Sequence, residues 1–383
     1  MAIELSEKQL KDGWQVVKFG EIAKEVKSTT KDPAKDGLEF YVGLEHLDPQ
    51  SLRIARKGII AEDNPSFTRR FSAGQILFGK RRCYQKKAAV ADFEGICSGD
   101  IIVMDAIPKK IIPGLLPFII QSDAFFDWAE KTSSGSLSPR TKWKSLAEFE
   151  FPLPPIKRQK EILEVLEKLE EVEQKTKEII NSLNVLLESA IVEQFNRKNG
   201  SVFLSDLCVE KRVLIQPPFD AQKKYVGFEH LEPVDIDIQS CGNISDVVSA
   251  KLEFEEGNIL YGKIRPYLRK AAIAPFDGLC SSDLIVVEAK KNVSNVVVAS
   301  ILTSSRFAQI AMNSAKGTKM PRADWKTLLR TKIPETFQTK SNHLESVFLS
   351  IYSQKKLLQK KVKNITNIRN YVVSGEGAAN ELQ

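Results

Sequence analysis

The sequence predicts an α+β protein made of two copies of one domain, each followed by a long helix. The main observation is a repeat: residues 71–106 match residues 254–289 at a constant shift of 183 residues, with 20 of 36 positions identical. Short β-branched and aromatic runs, typical of strands, fill both copies. Two long segments at heptad spacing lack Gly and Pro, which is typical of long helices. A repeat of this period indicates two whole domains and not a stack of short units.

Composition narrows the class of protein. The 383 residues leave room for two or three domains, and 56 Lys+Arg against 49 Asp+Glu give a net charge of +7, a weak lean toward a polyanionic partner. Five cysteines without a CxxC pair argue against a disulfide framework, so we expect a cytoplasmic protein. The longest apolar run, residues 111–120, is broken by Pro113 and Pro117, so we expect no membrane span.

The first domain, residues 1–153, contains short apolar runs separated by Gly, Pro, Asp or Asn. EFYVGLEHL, GQILFGKR and DIIVMDA are examples, and each is predicted to contain a strand. Between residues 117 and 131 the apolar residues recur at helical spacing, which predicts one or two helices there. This mixture is typical of an α+β domain.

Residues 154–199 are predicted to form the first long helix. About forty residues without Gly or Pro give a helix of roughly 60 Å at 1.5 Å per residue. Its apolar residues follow the alternating 4,3 spacing of a coiled-coil seam. The predicted seam residues are Ile162, Leu166, Leu169, Ile180, Leu183 and Leu187.

The second domain, residues 200–334, repeats the first. YVGFEHLEP at 225–233 matches YVGLEHLDP at 41–49 at seven of nine positions. A second long helix, residues 335–375, and a tail, residues 376–383, are predicted to follow. The predicted seam residues of this helix are Leu344, Phe348, Ile351, Leu358, Val362 and Ile365.

The order of domain and helix has a geometric consequence. A single heptad helix would leave its seam in water, so the two long helices are expected to pack on each other. If an approximate twofold axis relates the two copies, the helices run antiparallel and the domains lie at opposite ends. We therefore predict a pseudo-twofold dumbbell with an antiparallel coiled coil between two α+β domains.

Motifs that could carry catalysis are weak in this sequence. GQILFGKR, residues 74–81, resembles a phosphate-binding loop, but it lacks the hydroxyl that holds Mg²⁺, and so does its copy. His46 and His230 each stand alone in the frame EHL, which favours a histidine satisfied by the neighbouring backbone over a metal ligand. Cys97 and Cys280 have apolar neighbours, which favours buried structural thiols. We expect no catalytic, cofactor-binding or metal-binding residues in this chain.

Basic and aromatic residues cluster in the loops of both copies. Recurrence at matched positions favours a shared contact with DNA over scattered surface charge, because Arg and Lys bind phosphates and Arg also binds base edges. The candidate DNA-binding residues are Lys80, Arg81, Arg82, Tyr84, Lys86, Arg140 and Lys142 in the first copy, and Lys263, Arg265, Tyr267, Arg269, Lys319 and Arg322 in the second.

Two α+β domains, each closed by the frame GxILxGKxR…KAA…C-S-x-D and followed by a heptad helix, resemble the specificity subunit of a type I restriction-modification system. The segment FPLPPIKRQKEIL also resembles the start of the central helix in that family, although Arg158 precedes Gln159 where Glu is usual. The segment PETFQTKSNHLES, after the second domain, matches that start poorly. The similarity extends over nearly the whole chain.

The resemblance implies a subunit that recognises DNA and catalyses nothing itself. Each domain would be a target-recognition domain for one half of a bipartite double-stranded DNA sequence, and the helices would set the spacing between the halves. The helices would also dock two methyltransferase (modification) subunits and, through them, the ATP-dependent restriction subunits. S-adenosylmethionine, ATP and Mg²⁺ would be bound by these partners, with no cofactor in this chain.

Two other classes of function are also open to the sequence. One is a stand-alone DNA-binding or coiled-coil scaffold without a modification partner. The other is an enzyme such as a nuclease, although no paired carboxylates recur at matched positions. If the chain is a specificity subunit, the residues that select the DNA sequence are expected where the two copies differ, above all at Arg81 in the first copy and Ile264 in the second.

Overall fold

The structure, a computed structural model, separates into two units that are described one at a time. The first unit comprises Met1–Lys175 and Val362–Gln383, and the second comprises Thr176–Lys361. Each unit therefore contains one domain together with part of each long helix. The residues that the structure describes are 4–197, 200–244, 249–317, 320–338 and 342–374.

Short strands make up much of the domain in the first unit. They lie in the β-branched and aromatic runs of the sequence, where such side chains pack well on a pleated surface. The strands are β1 (Gln15–Lys18), β2 (Ala23–Val26), β3 (Phe40–Val42), β4 (Gly58–Ile59), β5 (Arg69–Phe71), β6 (Ile76–Gly79), β7 (Ala88–Val90), β8 (Gly95–Cys97), β9 (Ile101–Ala106) and β10 (Glu150–Leu153).

These strands form one two-stranded sheet, β1-β10, and two four-stranded sheets with strand orders β2-β9-β6-β7 and β4-β3-β8-β5. The pairs are antiparallel except for β3 with β8, in which Tyr41 lies opposite Ile96. All four residues of β6 are buried, and Ile76 lies opposite both Met104 and Val90. A strand covered on both faces is apolar throughout, which explains the continuous run ILFG.

The helices of the first domain are short and cover these sheets. The structure has two helices where one or two were predicted between residues 117 and 131, and Ser122 separates them because its hydroxyl caps the second one by accepting from the amide of Phe125. Phe126 on that helix stacks on Phe78 of β6 with ring centroids 5.6 Å apart. The helices are α1 (Glu7–Lys11), α2 (Phe19–Ile22), α3 (Ile60–Asp63), α4 (Leu116–Ile120), α5 (Asp123–Lys131) and α6 (Trp143–Ala147).

The first long helix, α7, extends over Ile156–Asn196. Gln159 fixes its start, because its side-chain oxygen accepts from the Ile112 amide at 2.9 Å and its side-chain nitrogen donates to the Pro154 carbonyl at 2.9 Å. Gln159 is buried, and these two hydrogen bonds join the domain to the start of the helix.

The second domain repeats these elements after α7. Its strands are β11 (Ser201–Phe203), β12 (Cys208–Glu210), β13 (Val213–Ile215), β14 (Lys224–Val226), β15 (Gly242–Asn243), β16 (Lys251–Phe254), β17 (Ile259–Gly262), β18 (Ala271–Ile273), β19 (Gly278–Cys280), β20 (Leu284–Ala289) and β21 (Lys332–Pro334). Its helices are α8 (Leu204–Leu207), α9 (Asn295–Thr303), α10 (Ser305–Ser314) and α11 (Trp325–Leu328), and the second long helix is α12 (Asn342–Ser374).

The two domains share one topology. The sheet order β12-β20-β17-β18 corresponds to β2-β9-β6-β7, and β11-β21 corresponds to β1-β10. The remaining sheet, β13-β16-β19-β14-β15, has one strand more than its counterpart, because β13 takes the place of a single bridge between Thr29 and Arg69 in the first domain. The predicted α+β class and the duplication of the domain are confirmed.

In the first unit the early part of α7 packs on the late part of α12. Ile162 lines a small cavity together with Val372 and Val373, and Glu173 pairs with Arg369. Contacts on α12 thus move toward its start as those on α7 move toward its end, so the two segments run antiparallel. Of the predicted seam residues in this unit, Ile162, Leu166 and Ile365 are buried, and Leu169 and Val362 are half-buried.

In the second unit the late part of α7 and the early part of α12 join the core of the second domain. Leu187, Phe348 and Ile351 belong to one buried cluster with that domain. Helix α12 starts at Asn342, later than the predicted residue 335, because a 3-10 turn, Glu335–Phe337, follows β21 and buries Phe337 against Phe195. The other predicted seam residues here, Ile180, Leu183, Leu344 and Leu358, are half-buried.

Candidate nucleic-acid interface

In each unit a loop of basic residues follows a buried strand. The loop consists of residues 80–87 after β6 in the first unit and residues 263–270 after β17 in the second. A 3-10 turn forms the middle of each loop, Cys83–Gln85 in the first and Pro266–Leu268 in the second. The turn buries Cys83 or Pro266 and leaves the next residue, a tyrosine, at the surface.

A strained backbone flanks each turn. Arg82 and Lys86 have φ angles of 56° and 50°, and the matched Arg265 and Arg269 have φ angles of 48° and 55°. Non-glycine residues rarely adopt this left-handed conformation, which costs on the order of 1–3 kcal/mol and clusters at functional sites. Because the same two left-handed conformations recur in both units, they are regular features of this loop.

A second segment supports the loop in the first unit. The Arg82 amide donates to the Pro139 carbonyl at 2.8 Å, and the Thr141 amide donates to the Lys80 carbonyl at 3.0 Å. These bonds join the loop to residues 134–142, and we call the two segments, 80–87 and 134–142, the first platform.

The second unit has the same construction. The Arg265 amide donates to the Pro321 carbonyl at 2.7 Å, and the Ala323 amide donates to the Lys263 carbonyl at 2.8 Å. The second platform consists of residues 263–270 and the described residues of 316–324.

Each platform presents an aromatic ring and cations to solvent. Tyr84 is 51% exposed and Tyr267 is 52% exposed, at positions that match in the repeat. A tyrosine beside arginines supplies hydrogen bonds and positive charge together, the combination found on surfaces that bind phosphates and base edges. The exposed candidate cations are Arg140, Lys142, Arg265 and Arg322, while Lys80, Arg82 and Lys263 are half-buried.

Asp100 anchors the cations of the first platform. Its carboxylate accepts from Arg140 Nε at 2.7 Å and from Arg81 Nη1 at 3.5 Å. The hydrogen bond from Arg140, opposed by desolvation and aided by the charges of Arg81 and Lys80, holds the pKa of Asp100 below its ordinary value. The carboxylate fixes the direction of two arginines without neutralising the platform.

The second platform has the same anchor in a weaker form. Asp283 lies 3.7 Å from Arg322, and its amide donates to Ser281 Oγ at 3.2 Å, as the Asp100 amide donates to Ser98 Oγ at 3.2 Å. The Ser-x-Asp sequence shared by the two copies is therefore the turn that aims this carboxylate.

Asp100→Asn should make the first unit less stable by about 1 kcal/mol at pH 7, because the amide cannot replace a charge-assisted hydrogen bond at a partly exposed site. Since the pKa of Asp100 is lower in the folded state, the native protein gains this stability above the unfolded-state pKa. The difference between native and variant protein should then shrink as the pH falls through the folded-state pKa. Chemical denaturation at pH 7 and at pH 3 and below measures it.

Asp105→Asn is the matched control for this change. Asp105 is also on the first domain, but its carboxylate is 4.0 Å from Lys24, and the side chains of Lys24 and Asp105 are 61% and 41% exposed. We expect a change within about 0.5 kcal/mol for this variant. Equal losses for both variants, or a loss for Asp100→Asn that persists at the lowest pH, would contradict the assigned role of Asp100.

Arg81 and Ile264, the mismatch that the sequence singled out for specificity, are not two exposed side chains. Ile264 is 8% exposed and belongs to the interior, whereas the guanidinium of Arg81 is held by Asp100 and by Ser138 Oγ at 3.0 Å. Arg81 and Ile264 therefore differ because the two loops pack differently on the residues beneath them. The structure does not favour a direct difference in base contacts at this position.

Lys86 and Arg269, also candidate DNA contacts, point into the protein. Lys86 pairs with Asp123, and Arg269 pairs with Glu188. Their ammonium and guanidinium groups form ion pairs with carboxylates of the protein. Lys86 and Arg269 therefore have a structural role at the base of each platform. Lys319, another candidate, lies outside the described residues.

The histidines and cysteines have ordinary structural surroundings. His46 Nδ1 accepts from the Gly43 amide at 3.0 Å, and His230 Nδ1 accepts from the Gly227 amide at 2.8 Å, as the sequence favoured. Burial raises the pKa of the Cys97 and Cys280 thiols to about 12, so neither is a thiolate at neutral pH.

The described part of the chain meets the requirements of neither a metal site nor a membrane helix. Within it, no group of three or more His, Cys, Asp or Glu residues is placed to hold a metal ion. Its helices are each too short or too polar to cross a lipid bilayer.

Sequence reasoning missed the anchoring carboxylates. Asp100 and Asp283 are identical between the copies and precede a strand in both, but nothing in the linear sequence places them against the arginines 40 and 39 residues further on. A carboxylate that recurs at a matched position beside a basic cluster is the signal that could have identified them.

Comparisons with known proteins agree with this architecture. Residues 11–185 match the family model of the type I restriction modification DNA specificity domain. A curated relative, the type I restriction enzyme EcoDI specificity subunit of Escherichia coli, is 27% identical over 189 residues, or 48% of this chain. The alignment spans 42% of that relative, less than half of its length.

Two solved structures align with nearly the whole of this chain at low sequence identity. The crystal structure of a type I restriction-modification system S subunit from M. genitalium aligns over 97% of this chain and 97% of that chain, with 12% identity and a TM-score of 0.52, which shows a shared fold. The HsdS subunit from Thermoanaerobacter tengcongensis aligns over 95% of this chain and 96% of that chain, with 17% identity and a TM-score of 0.41.

Proposed function

We propose that this chain, whose residues 11–185 match the family model of the type I restriction modification DNA specificity domain, is the subunit that recognises the DNA target of such a system. The observation that carries the proposal is the pair of matched platforms, each with an exposed tyrosine, exposed cations and the same strained loop. Each platform contacts one half of a bipartite target, since a duplicated surface fits a target with two separate halves.

The paired segments of α7 and α12 set the spacing between the two halves. Helix α7 alone has 41 residues, or about 60 Å at 1.5 Å per residue, so a stiff element of fixed length follows the first domain and leads into the second. DNA half-sites on one face of the duplex lie about 34–36 Å apart per helical turn, which is within the reach of such an element.

The chain recognises DNA while partner subunits carry out the reactions. Two methyltransferase subunits that use S-adenosylmethionine dock on it and methylate adenine, and ATP-dependent restriction subunits join through them. A methylated base must leave the stack, so the platforms hold DNA that is distorted in the complex. We also place the protein in the cytoplasm, where its five free cysteines would stay reduced.

Methylation mapping tests the proposal. The chain is expressed with its genomic neighbours in a host that lacks them, and adenine methylation is mapped over the genome with and without the chain. We expect methylation at one bipartite sequence that disappears when the chain is omitted. Methylation that does not depend on the chain, or none with all subunits present, would contradict it, and methylation by the chain alone would make it an enzyme.

Lengthening both long helices by one heptad should change the spacing of the halves. Seven residues add about 10.5 Å, the rise of about three base pairs, and preserve the phase of the seam. The insertions belong after Lys175 in α7 and before Val362 in α12, which leaves the Glu173–Arg369 pair in place. Methylation mapping should show unchanged half-sites separated by a spacer that is longer by up to about three base pairs.

An insertion in α7 alone is the control for the heptad experiment. It shifts the seam of one helix against the other, so we expect loss of methylation and not a new spacing. Altered half-sites with an unchanged spacer in the double insertion would show that the helices do not set the distance.

A further inference from the structure

The base of the first platform is tied to a long helix by three side chains. Lys86, the last left-handed residue of the loop, pairs with Asp123 at the start of α5. The other carboxylate oxygen of Asp123 accepts from Asn370 Nδ2 of α12 at 2.6 Å. A single carboxylate thus joins the recognition loop, a helix of the domain and the long helix beside it.

The second unit holds the same three elements together with the carboxylate in a different place. Arg269 pairs with Glu188 of α7. Glu188 Oε1 also accepts from the amide and the hydroxyl of Ser305, the first residue of α10, at 2.9 Å and 2.5 Å. In this unit the carboxylate, Glu188, is on the long helix α7, and the neutral hydrogen-bonding partner, Ser305, is on the domain helix α10.

The three members correspond to one another in the repeat. Lys86 and Arg269 differ by 183 residues, Asp123 and Ser305 by 182, and Glu188 and Asn370 by 182. The two triads therefore contain a cation, a carboxylate and a neutral hydrogen-bonding side chain at the same three places. Only the carboxylate and the neutral side chain have exchanged positions.

Backbone contacts make each triad a support for the platform. The carbonyls of Lys86 and Arg269 accept from the amides of Gln50 and Val234 at 2.9 Å and 3.1 Å. Gln50 and Val234 themselves have positive φ angles of 54° and 58°. Since β-branched valine strongly disfavours this conformation, surrounding contacts must hold it in place.

In the second unit this support extends to the other long helix. The Val234 carbonyl accepts from Lys355 Nζ of α12 at 3.0 Å, and Lys355 is 2% exposed. Burial lowers the pKa of Lys355, opposed by the charges of Asp235 and Asp237. A buried cation is costly unless it is hydrogen-bonded or paired, and the Val234 carbonyl supplies a hydrogen bond to Lys355 here.

We propose that the two triads, Lys86–Asp123–Asn370 and Arg269–Glu188–Ser305, are positioning sites that fix the orientation of each platform on the long helix beside it. The inference rests on the proposed function, because it assigns the triads to DNA selection by the platforms. It makes each half of the target depend on one carboxylate that touches no DNA. It also gives partner subunits bound to the helices a route to alter how the platforms contact DNA.

Exchanging the two arrangements tests the proposal. Asp123→Ser removes the carboxylate from the first triad, and Asn370→Glu alone places two carboxylates beside one ammonium group. The double variant Asp123→Ser, Asn370→Glu builds the arrangement of the second triad in the first unit. Glu188→Asn and Ser305→Asp, singly and together, make the reciprocal set in the second unit.

The readout is sequence selection from a pool of random DNA duplexes by the full-length chain in complex with its co-purified partner subunits. Asp123→Ser should lower the enrichment of one half-site about tenfold and leave the other unchanged, and the double variant should restore it to within about threefold. Glu188→Asn should instead lower the enrichment of the other half-site, and adding Ser305→Asp should restore it. The control Asp127→Ser, Asn364→Glu changes exposed residues of the same two helices and should alter neither half-site.

The outcomes separate this inference from the proposed function. If the native complex selects no sequence, the proposed function fails. If it selects two half-sites and both single carboxylate variants keep them, the triads are not positioning sites. If the triads only stabilised the fold, the single variants would lower the enrichment of both half-sites together with the unfolding temperature. The double variants would then restore neither quantity, and this result would also overturn the inference.

Discussion

Arg82→Gln, Tyr84→Ala should weaken recognition of one half of the target by about 100-fold and leave the other half recognised. Each side chain is expected to contribute on the order of 1–3 kcal/mol, as a charged contact to phosphate or guanine and as a ring with a hydroxyl at the DNA surface. The Tyr84 side chain is 51% exposed, so its removal leaves the packing of the platform intact. Binding to duplexes with each half mutated in turn measures the effect.

The matched change Arg265→Gln, Tyr267→Ala should weaken recognition of the opposite half. Glutamine is chosen because it removes the charge without adding a new strain at a left-handed position. Arg158→Gln removes one exposed charge from α7 outside both platforms and should leave both halves unaffected. If the two matched variants weakened the same half, or weakened both halves equally, the platforms would not divide the target between them.

Arg369→Met should destabilise the first unit by about 3–5 kcal/mol, because it leaves a buried carboxylate without its cation. Arg369 and Glu173 are each 3% exposed at their side chains and lie 3.1 Å apart, and Glu170 lies 3.2 Å from the same guanidinium nitrogen. Hydrogen exchange of the backbone amides in residues 362–374 measures the local loss.

The double variant Glu173→Leu, Arg369→Met should recover most of that stability, since two apolar side chains can replace a buried ion pair at little cost. Lys363→Met, an exposed cation on the same helix, should change stability by less than about 0.5 kcal/mol. A double variant as unstable as Arg369→Met alone would mean that packing of the arginine stem, and not its charge, supports the helix pair.

The buried ion pair in the seam between α7 and α12 affects the register in which the two helices pair. The heptad pattern of α7 and α12 is apolar except at a few positions, and Glu173 and Arg369 occupy two of them. A buried ion pair in such a seam disfavours other registers, because a slip would leave both charges in an apolar surrounding. The pair therefore fixes where the two helices meet in the first unit.

The secondary-structure elements of this protein are predictable from its amino-acid sequence. The repeat, the α+β class, the long helices and most of the apolar seam follow from local patterns: identity at a fixed shift, and apolar residues at spacings of 2, 3 or 4. The basic loops were also visible, because charge recurs at matched positions such as Arg82 and Arg265. Such features concern residues that are neighbours within one element or copies of each other.

Which charged side chains face solvent depends on the tertiary fold. Lys86 and Arg269 look equivalent to Arg82 and Arg265 in the sequence, but their partners lie 37 and 81 residues away, on other elements. Asp100 likewise meets Arg140 only after the sheet and the second segment have formed. The direction of a charged side chain depends on contacts between distant elements, and a periodic pattern within one element does not contain that information.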